Sequence, residues 1–174
     1  MQAQGRRRIG SHAAKARAIP IFAGVASSAA ARLQTERRKG IIAVILPITL
    51  SAAAAAAILA LWLMIRVGQV RAKEKIPHGD GGHPLLTKRM RAQLNYVESA
   101  PFVLILIAAI ELSGRGGTWL AIVSGLYLLA RIAHAFGMDN DVATNPLRGF
   151  GIGVTMLTLL GLAVYAALIA AGLA

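Results

Sequence analysis

The feature that most restricts the fold is a series of four long apolar segments. The first, Ile41 to Ile65, carries no charged side chain over its 25 residues, and about 20 apolar residues suffice to cross a bilayer. Arg66 is predicted to end this span. The other segments run roughly from Leu94 to Ser113, from Thr118 to Met138 and from Gly149 to Ala174. Because lipid offers the backbone no hydrogen-bond partners, we predict four transmembrane helices.

The connections between these segments are short and contain glycine, proline and asparagine, which mark turns. We therefore predict an all-α fold, an integral membrane antiparallel four-helix bundle with both termini on one side of the membrane. Pro101 lies inside the second helix, where neighbouring helices can satisfy the carbonyl that it frees. The fourth helix is expected to approach its neighbours closely at its glycines, Gly149, Gly151, Gly153 and Gly161.

The composition supports a membrane protein, with 56% hydrophobic and 15% charged residues. The net charge of +12 is explained by basic flanks on membrane helices, and we predict no nucleic-acid partner. The chain has no cysteine, which excludes disulfides, thiolate metal sites and a cysteine nucleophile. Any thiol chemistry therefore requires a thiol that a ligand brings.

Residues 1–40 differ from the rest, because they carry nine Lys and Arg residues and a single acid, Glu36. The weak apolar patch at residues 18–31 is compatible with a signal or transit peptide. A disordered basic leader, or a start codon assigned too far upstream, is the simpler interpretation. We predict a basic leader at 1–40, disordered or processed, and a four-span membrane domain at 41–174.

The distribution of basic residues gives the expected orientation. The loop after the first span contains Arg71, Lys73 and Lys75, whereas the loop after the second span has only Arg115. The positive-inside rule places the first loop in the cytoplasm. The charges of the leader argue for the opposite orientation if the leader is retained, and we give the loops more weight.

Polar residues at the start of the second span are the main candidates for function. Arg91, Asn95 and Glu98 are spaced four and three apart, so they share one face of a helix. Ionisable groups near hydrocarbon are rarely found without a pairing partner or a ligand. In a structural interpretation, Arg91 snorkels and Glu98 pairs with Arg131 or Arg91. In a functional one, arginine binds a carboxylate, Glu98 an ammonium group, and Asn95 a donor or an acceptor.

Three further candidates lie on the third and fourth spans. Arg131 and His134 are three residues apart on one helix face, and Arg148 begins the fourth span on the same membrane side as Arg91. A helix N-terminus and an arginine together favour a negative group, and both would lower the pKa of a ligand thiol. The alternatives are a phospholipid anchor for Arg148 and an interfacial structural role for His134.

Other polar residues are less informative. His78 and His83 flank a glycine turn, but too few ligands lie nearby for a metal site, and we predict none. Residues 79–82 lack the context of a phosphate-binding loop. Glu111 is expected at the interface on the opposite side of the membrane.

Two motifs make the resemblance to a family specific. Arg91-Ala-Gln-Leu-Asn95-x-x-Glu98-x-x-Pro101, followed by Arg131-x-x-His134-x-x-Gly137, resembles the MAPEG family (membrane-associated proteins in eicosanoid and glutathione metabolism). The similarity covers about residues 41–174. The glycine turn at 79–82 resembles that of small bacterial members, including the YecN-like group, which implies a bacterial inner membrane.

The resemblance implies a homotrimer that binds glutathione between neighbouring subunits near the cytoplasmic face. Arg148 resembles the catalytic arginine that stabilises the glutathione thiolate. The positions expected to bind glutathione are Arg91, Asn95, Glu98, Arg131 and His134. The implied activity is that of a membrane-bound glutathione transferase or a peroxidase-like protein, with glutathione as co-substrate and hydrophobic electrophiles or lipids as further ligands.

The chain also departs from the family pattern. Members that make leukotrienes have a tyrosine where this chain has Ser99, and tyrosines at the end of the third helix where it has His134 and Met138. Eicosanoid synthesis is therefore not expected. A non-catalytic scaffold or lipid-binding module stays an alternative. A transporter or channel is disfavoured, because the polar residues cluster at one side instead of crossing the membrane.

Overall fold

The computed structural model describes residues 45–142 and 145–174 and consists of four helices. These are α1 (Pro47–Glu74), α2 (Pro84–Leu112), α3 (Thr118–Asp139) and α4 (Pro146–Ala170), and each is long and apolar enough to cross a membrane. The predicted all-α four-helix architecture is confirmed. The predicted leader at 1–40 and the beginning of the first apolar segment lie outside the described residues.

Two helices extend beyond the apolar segments that predicted them. Arg66 does not end the first helix, since α1 continues to Glu74, and α2 begins at Pro84, ten residues before Leu94. Hydropathy marks the hydrocarbon core, whereas charged turns at the membrane surface can stay helical. Proline lies in the first turn of α1, α2 and α4, where its missing N–H leaves no hydrogen bond unmade.

Helices α2 and α3 occupy the centre of the bundle. Each contacts the other three helices, whereas α1 and α4 flank this pair and make no close backbone approach to each other within the described ranges. The buried core includes Val103 and Ile107 of α2 and Leu120 and Tyr127 of α3. Four of the seven buried polar residues in the described part of the chain accordingly lie on α2 and α3.

Only one of the four glycines predicted to allow close contact with α4 does so. A Cβ atom on Gly151 would lie 2.4 Å from Cβ of His134, whereas one on Gly149, Gly153 or Gly161 would meet no atom within 4 Å. The second close approach involves Gly137 of α3, where a Cβ atom would lie 2.4 Å from the backbone nitrogen of Arg148. These two contacts press the start of α4 against the end of α3.

The ends of the helices are closed by side chains from other elements. Glu111, expected at the interface, accepts hydrogen bonds from the backbone N–H groups of Ile48 (2.9 Å) and Thr49 (2.7 Å) and from the Thr49 hydroxyl (2.7 Å). It therefore caps the N-terminus of α1. At the opposite end, the Gly82 N–H and the Thr87 hydroxyl donate to Asp80 and hold the pKa of that carboxyl below its usual value.

Candidate functional site

Three helices meet at His134, at the end of the bundle that carries the α1–α2 loop. The Nε2 atom of His134 lies 3.3 Å from Nδ2 of Asn95 on α2. Its Nδ1 atom lies 3.3 Å from the backbone carbonyl oxygen of Arg148 on α4. The His134 side chain is completely buried. Gly137 and Gly151 make this contact possible, because a side chain at either position would force α4 away from α3.

The geometry around His134 determines how Asn95 is oriented. A backbone carbonyl can only accept a hydrogen bond, so Nδ1 of His134 is the donor, and in the neutral imidazole Nε2 is then an acceptor. The Asn95 amide therefore donates through Nδ2 to His134. Its Oδ1 atom accepts no hydrogen bond from the described part of the chain, and it can accept one from a ligand.

We call three charged residues at this end of the bundle, Arg91 and Glu98 of α2 and Arg148 of α4, the open polar face. All three side chains are exposed, and no ion pair within residues 45–142 and 145–174 includes any of them. The structural interpretation that paired Glu98 with Arg131 or Arg91 is therefore wrong for the described part of the chain. Arg91 also lines a cleft of about 710 Å³ between α1 and α2, which it shares with Arg71.

Arg131 lies deeper in the bundle than the open polar face, and its side chain turns to a different neighbour from that of His134. It is 3% exposed, and its Nη1 atom donates to the Thr155 hydroxyl on α4 at 3.4 Å. Its Nε and Nη2 atoms are buried and have no partner among the described residues. A buried guanidinium with so few hydrogen bonds is energetically unfavourable, and an anionic partner would stabilise it.

Ser99 explains locally how the chain differs from the leukotriene-forming pattern. The Ser99 hydroxyl lies 2.9 Å from the hydroxyl of Tyr127, and both residues are buried. The hydroxyl of Tyr96, three residues before Ser99 on α2, donates to the carbonyl of Ala56 on α1 at 2.7 Å. These hydroxyl groups join α2 to its neighbours. The short Ser99 side chain is engaged in this contact and cannot reach a ligand.

Sequence reasoning missed a second set of charges, which we call the inner polar cluster. It consists of Arg66 of α1, Arg89 of α2 and Asp139 of α3. Both arginines contact the same carboxylate oxygen, Oδ2 of Asp139, at 2.5 Å from Arg66 Nη2 and 3.3 Å from Arg89 Nη2. Arg89 also donates to the carbonyl of Arg66 at 2.9 Å. The available signal was that oppositely charged residues lie at helix ends on the same predicted side of the membrane.

Comparison with known proteins agrees with this architecture. No curated protein matches the chain significantly. The sequence does match the model of the MAPEG family over residues 49–168. This range includes most of each helix and all six candidate residues, from Arg91 to Arg148. Since the match covers well over half of the chain, which has four helices able to span a membrane, the protein is a multi-pass integral membrane protein that belongs to the MAPEG family.

Proposed function

We propose that the protein binds glutathione at the open polar face and activates its thiol toward hydrophobic electrophiles, as a membrane-bound glutathione transferase or peroxidase-like enzyme. The observation that carries this proposal is the link from Asn95 through His134 to the backbone of Arg148. It fixes one ligand-binding amide and the first turn of α4 relative to each other. Membership of the MAPEG family supports glutathione as the thiol.

The side chains at this end match the charges of glutathione, which has two carboxylates, one ammonium group and one thiol. Arg91 can bind a carboxylate through its planar guanidinium, and Glu98 can bind the ammonium group. Oδ1 of Asn95 can accept from a peptide N–H group, since Nδ2 is held by His134. Arg131 and His134 support the site from beneath, with Arg131 supplying a buried positive charge.

The exposure of Glu98 supports a ligand that lies between subunits. A carboxylate on the outer face of a membrane-spanning helix is costly in contact with lipid and is normally paired or faces a protein interior. In a homotrimer a neighbouring copy would cover Glu98 and enclose the ligand. We further propose that this end of the bundle, with its basic α1–α2 loop, faces the cytoplasm and that the membrane is a bacterial inner membrane.

The proposed chemistry depends on stabilising a thiolate. Arg148 lies in the first turn of α4 and is exposed, so its guanidinium and the helix N-terminus can both favour an anionic sulfur. An electrophile dissolved in the bilayer would reach the thiolate from the side. The thiolate then attacks the electrophile and displaces its leaving group, with no covalent protein intermediate.

This proposal is tested by comparing two arginine variants with 1-chloro-2,4-dinitrobenzene as the electrophile. Arg148→Ala is expected to lower kcat about a hundredfold, because it removes a group that stabilises the developing anion. Arg91→Ala is expected mainly to weaken glutathione binding, by about tenfold. Arg115→Ala, on the opposite side of the bundle, is the control. Equal losses of binding in both variants, with kcat unchanged, would contradict these roles.

A non-catalytic scaffold or lipid-binding module is the second candidate. The complete burial of His134 favours it, because that side chain is occupied by Asn95 and by a backbone carbonyl. With both ring nitrogens of His134 engaged, that side chain offers no group for proton transfer or for stabilising a thiolate. Glutathione that binds without ionising its thiol would support this second candidate.

A further inference from the structure

Two grooves run along opposite sides of α3, and they differ in character. The aromatic groove, between α3 and α4, has a volume of about 620 Å³. Its principal lining residues are Trp119, Leu126, Leu157, Thr158, Gly161 and Tyr165. The small-residue groove, between α1 and α3, has a volume of about 410 Å³ and is lined mainly by Ser51, Ala52, Ala55, Ala121, Ser124 and Gly125.

The aromatic groove is amphipathic along its length. Trp119 and Tyr165 stack edge to face, with ring centroids 5.1 Å apart, at the end opposite the α1–α2 loop. Neither the indole N–H nor the phenol of this pair makes a hydrogen bond to a residue that the structure describes. Aromatic residues with a polar tip are typical of the membrane–water interface. The walls beyond them are aliphatic, apart from Thr158, which is 8% exposed.

The length of the aromatic groove corresponds to one leaflet. From Val154 to Tyr165 the groove follows α4 for about 16 Å, at about 1.5 Å per residue. Half of a hydrocarbon core of about 30 Å is close to that length. From Arg148 to Tyr165 the distance along α4 is about 26 Å, so the aromatic end is separate from the open polar face.

We propose that the aromatic groove binds one acyl chain of a bilayer phospholipid from the leaflet opposite the α1–α2 loop. The acyl chain lies between α3 and α4, and the ester group of the same lipid accepts hydrogen bonds from Trp119 and Tyr165. This site does not depend on the proposed glutathione chemistry.

The contrast between the two grooves favours a lipid over a helix of a second copy. Membrane helices pack closely through small residues, and the small-residue groove offers such a surface. The rim of the aromatic groove instead carries Leu126 and Leu157, which are 52% and 72% exposed. Long flexible side chains on both rims suit an acyl chain, which adapts its shape, better than a rigid helix.

The site can be tested by quenching the fluorescence of Trp119. The chain has two tryptophans, and Trp62→Phe leaves Trp119 as the single reporter. This protein, in dodecyl maltoside micelles, is titrated with phosphatidylcholine that is brominated on one acyl chain. We expect quenching that saturates at a low mole fraction of lipid. Quenching that rises in proportion to the mole fraction of brominated lipid, without saturating, would show non-specific contact with surrounding lipid and overturn the proposal.

Two glycine variants make the test specific. A Cβ atom at Gly161 or at Gly125 would meet no atom within 4 Å, so a side chain at either position begins in open space in its groove. Gly161→Leu fills the aromatic groove and is expected to raise the half-quenching mole fraction about tenfold, since it displaces a few methylene groups of the lipid. Gly125→Leu fills the small-residue groove and is expected to leave quenching unchanged.

The remaining outcomes are also decisive. The proposal is overturned if Gly161→Leu leaves quenching unchanged, or if it changes the oligomeric mass in solution, which would assign the aromatic groove to a second copy. Gly161→Ala, a smaller change, is expected to shift the half-quenching mole fraction in the same direction by less. It keeps the test available if the leucine variant does not fold.

Discussion

The inner polar cluster and the open polar face lie at the same end of the bundle, but charges are paired in the cluster and unpaired on the face. In the cluster, Arg66 and Arg89 share the carboxylate of Asp139, and Arg66 also lies 4.6 Å over the Trp62 ring. On the open polar face, the side chains of Arg91, Glu98 and Arg148 are exposed and make no ion pair within the described ranges.

Charges that pair with one another stabilise the fold, whereas exposed and unpaired charges are available for binding. Pairing these charges joins α1, α2 and α3, and the loss of the shared carboxylate leaves a buried and a partly buried arginine without a charged partner. An exposed and unpaired charge contributes little to stability. We therefore expect mutations in the inner polar cluster to change stability strongly, and mutations on the open polar face to change ligand binding strongly and stability little.

The largest effect is expected at the centre of the inner polar cluster. Asp139→Ala leaves two arginines without their shared carboxylate and is expected to lower the free energy of unfolding by about 3 kcal/mol. Equilibrium unfolding in mixed micelles containing sodium dodecyl sulfate measures this. Asp141→Ala is the matched control, because Asp141 pairs with Lys88 but its side chain is 94% exposed. Equal losses in both variants would contradict a special role for the cluster.

A somewhat smaller effect is expected where the open polar face is supported from beneath. Gly151→Ala places a Cβ atom 2.4 Å from that of His134 and is expected to cost about 2 kcal/mol of unfolding free energy, as overpacked cores do. It should also weaken glutathione binding, because α4 must shift. Gly153→Ala, which meets no atom within 4 Å, is expected to leave both properties nearly unchanged. A loss of stability without any change in glutathione binding would show that the Gly151 contact does not support the binding site.

Arg131 shares one property with each set of charges: it is buried, as Arg66 of the cluster is, and it has no charged partner among the described residues. Arg131→Met is expected to raise the free energy of unfolding by about 1 kcal/mol, as replacing a poorly compensated buried charge by an apolar side chain does. The same change is expected to weaken glutathione binding. Unfolding and glutathione titration on the same sample test both points. A large loss of stability would instead show that the guanidinium holds the bundle together.

The smallest effects on stability are expected for the open polar face itself. Arg91→Ala and Glu98→Gln should each change the free energy of unfolding by no more than about 0.5 kcal/mol without ligand. Each should raise the Kd for glutathione about tenfold, because a hydrogen bond between charged groups is removed in Arg91→Ala and loses one of its charges in Glu98→Gln. Calorimetric titration measures the Kd. A stability loss comparable with that of Asp139→Ala would remove the distinction between the two sets of charges.

The sequence was sufficient to predict the number of helices and their order, because each apolar segment is long enough to span a membrane. It did not predict the helix ends, since hydropathy reports where hydrocarbon lies, and the first turns of α2 are basic but still helical. The pairing of Arg66 with Asp139 joins residues 73 positions apart. It depends on the register of α1 against α3, which no local pattern contains.

The candidate site was predictable in part for the same reason. The spacing of Arg131 and His134 places them on one face of α3, but their side chains reach Thr155 of α4 and Asn95 of α2, respectively. Likewise, the four glycines of α4 are equivalent in sequence, and only the approach of α3 selects Gly151. Local spacing predicts which residues share a face, whereas their partners depend on how neighbouring helices are placed.

The central claim is that the open polar face binds glutathione and ionises its thiol. The most direct measurement is a glutathione titration of the purified protein in detergent, followed by the ultraviolet difference absorbance of the thiolate at neutral pH. We expect a saturable thiolate signal that is lost in Arg148→Ala and retained in Arg115→Ala. A folded protein that gives no thiolate signal, or a signal that Arg148→Ala leaves unchanged, would contradict it.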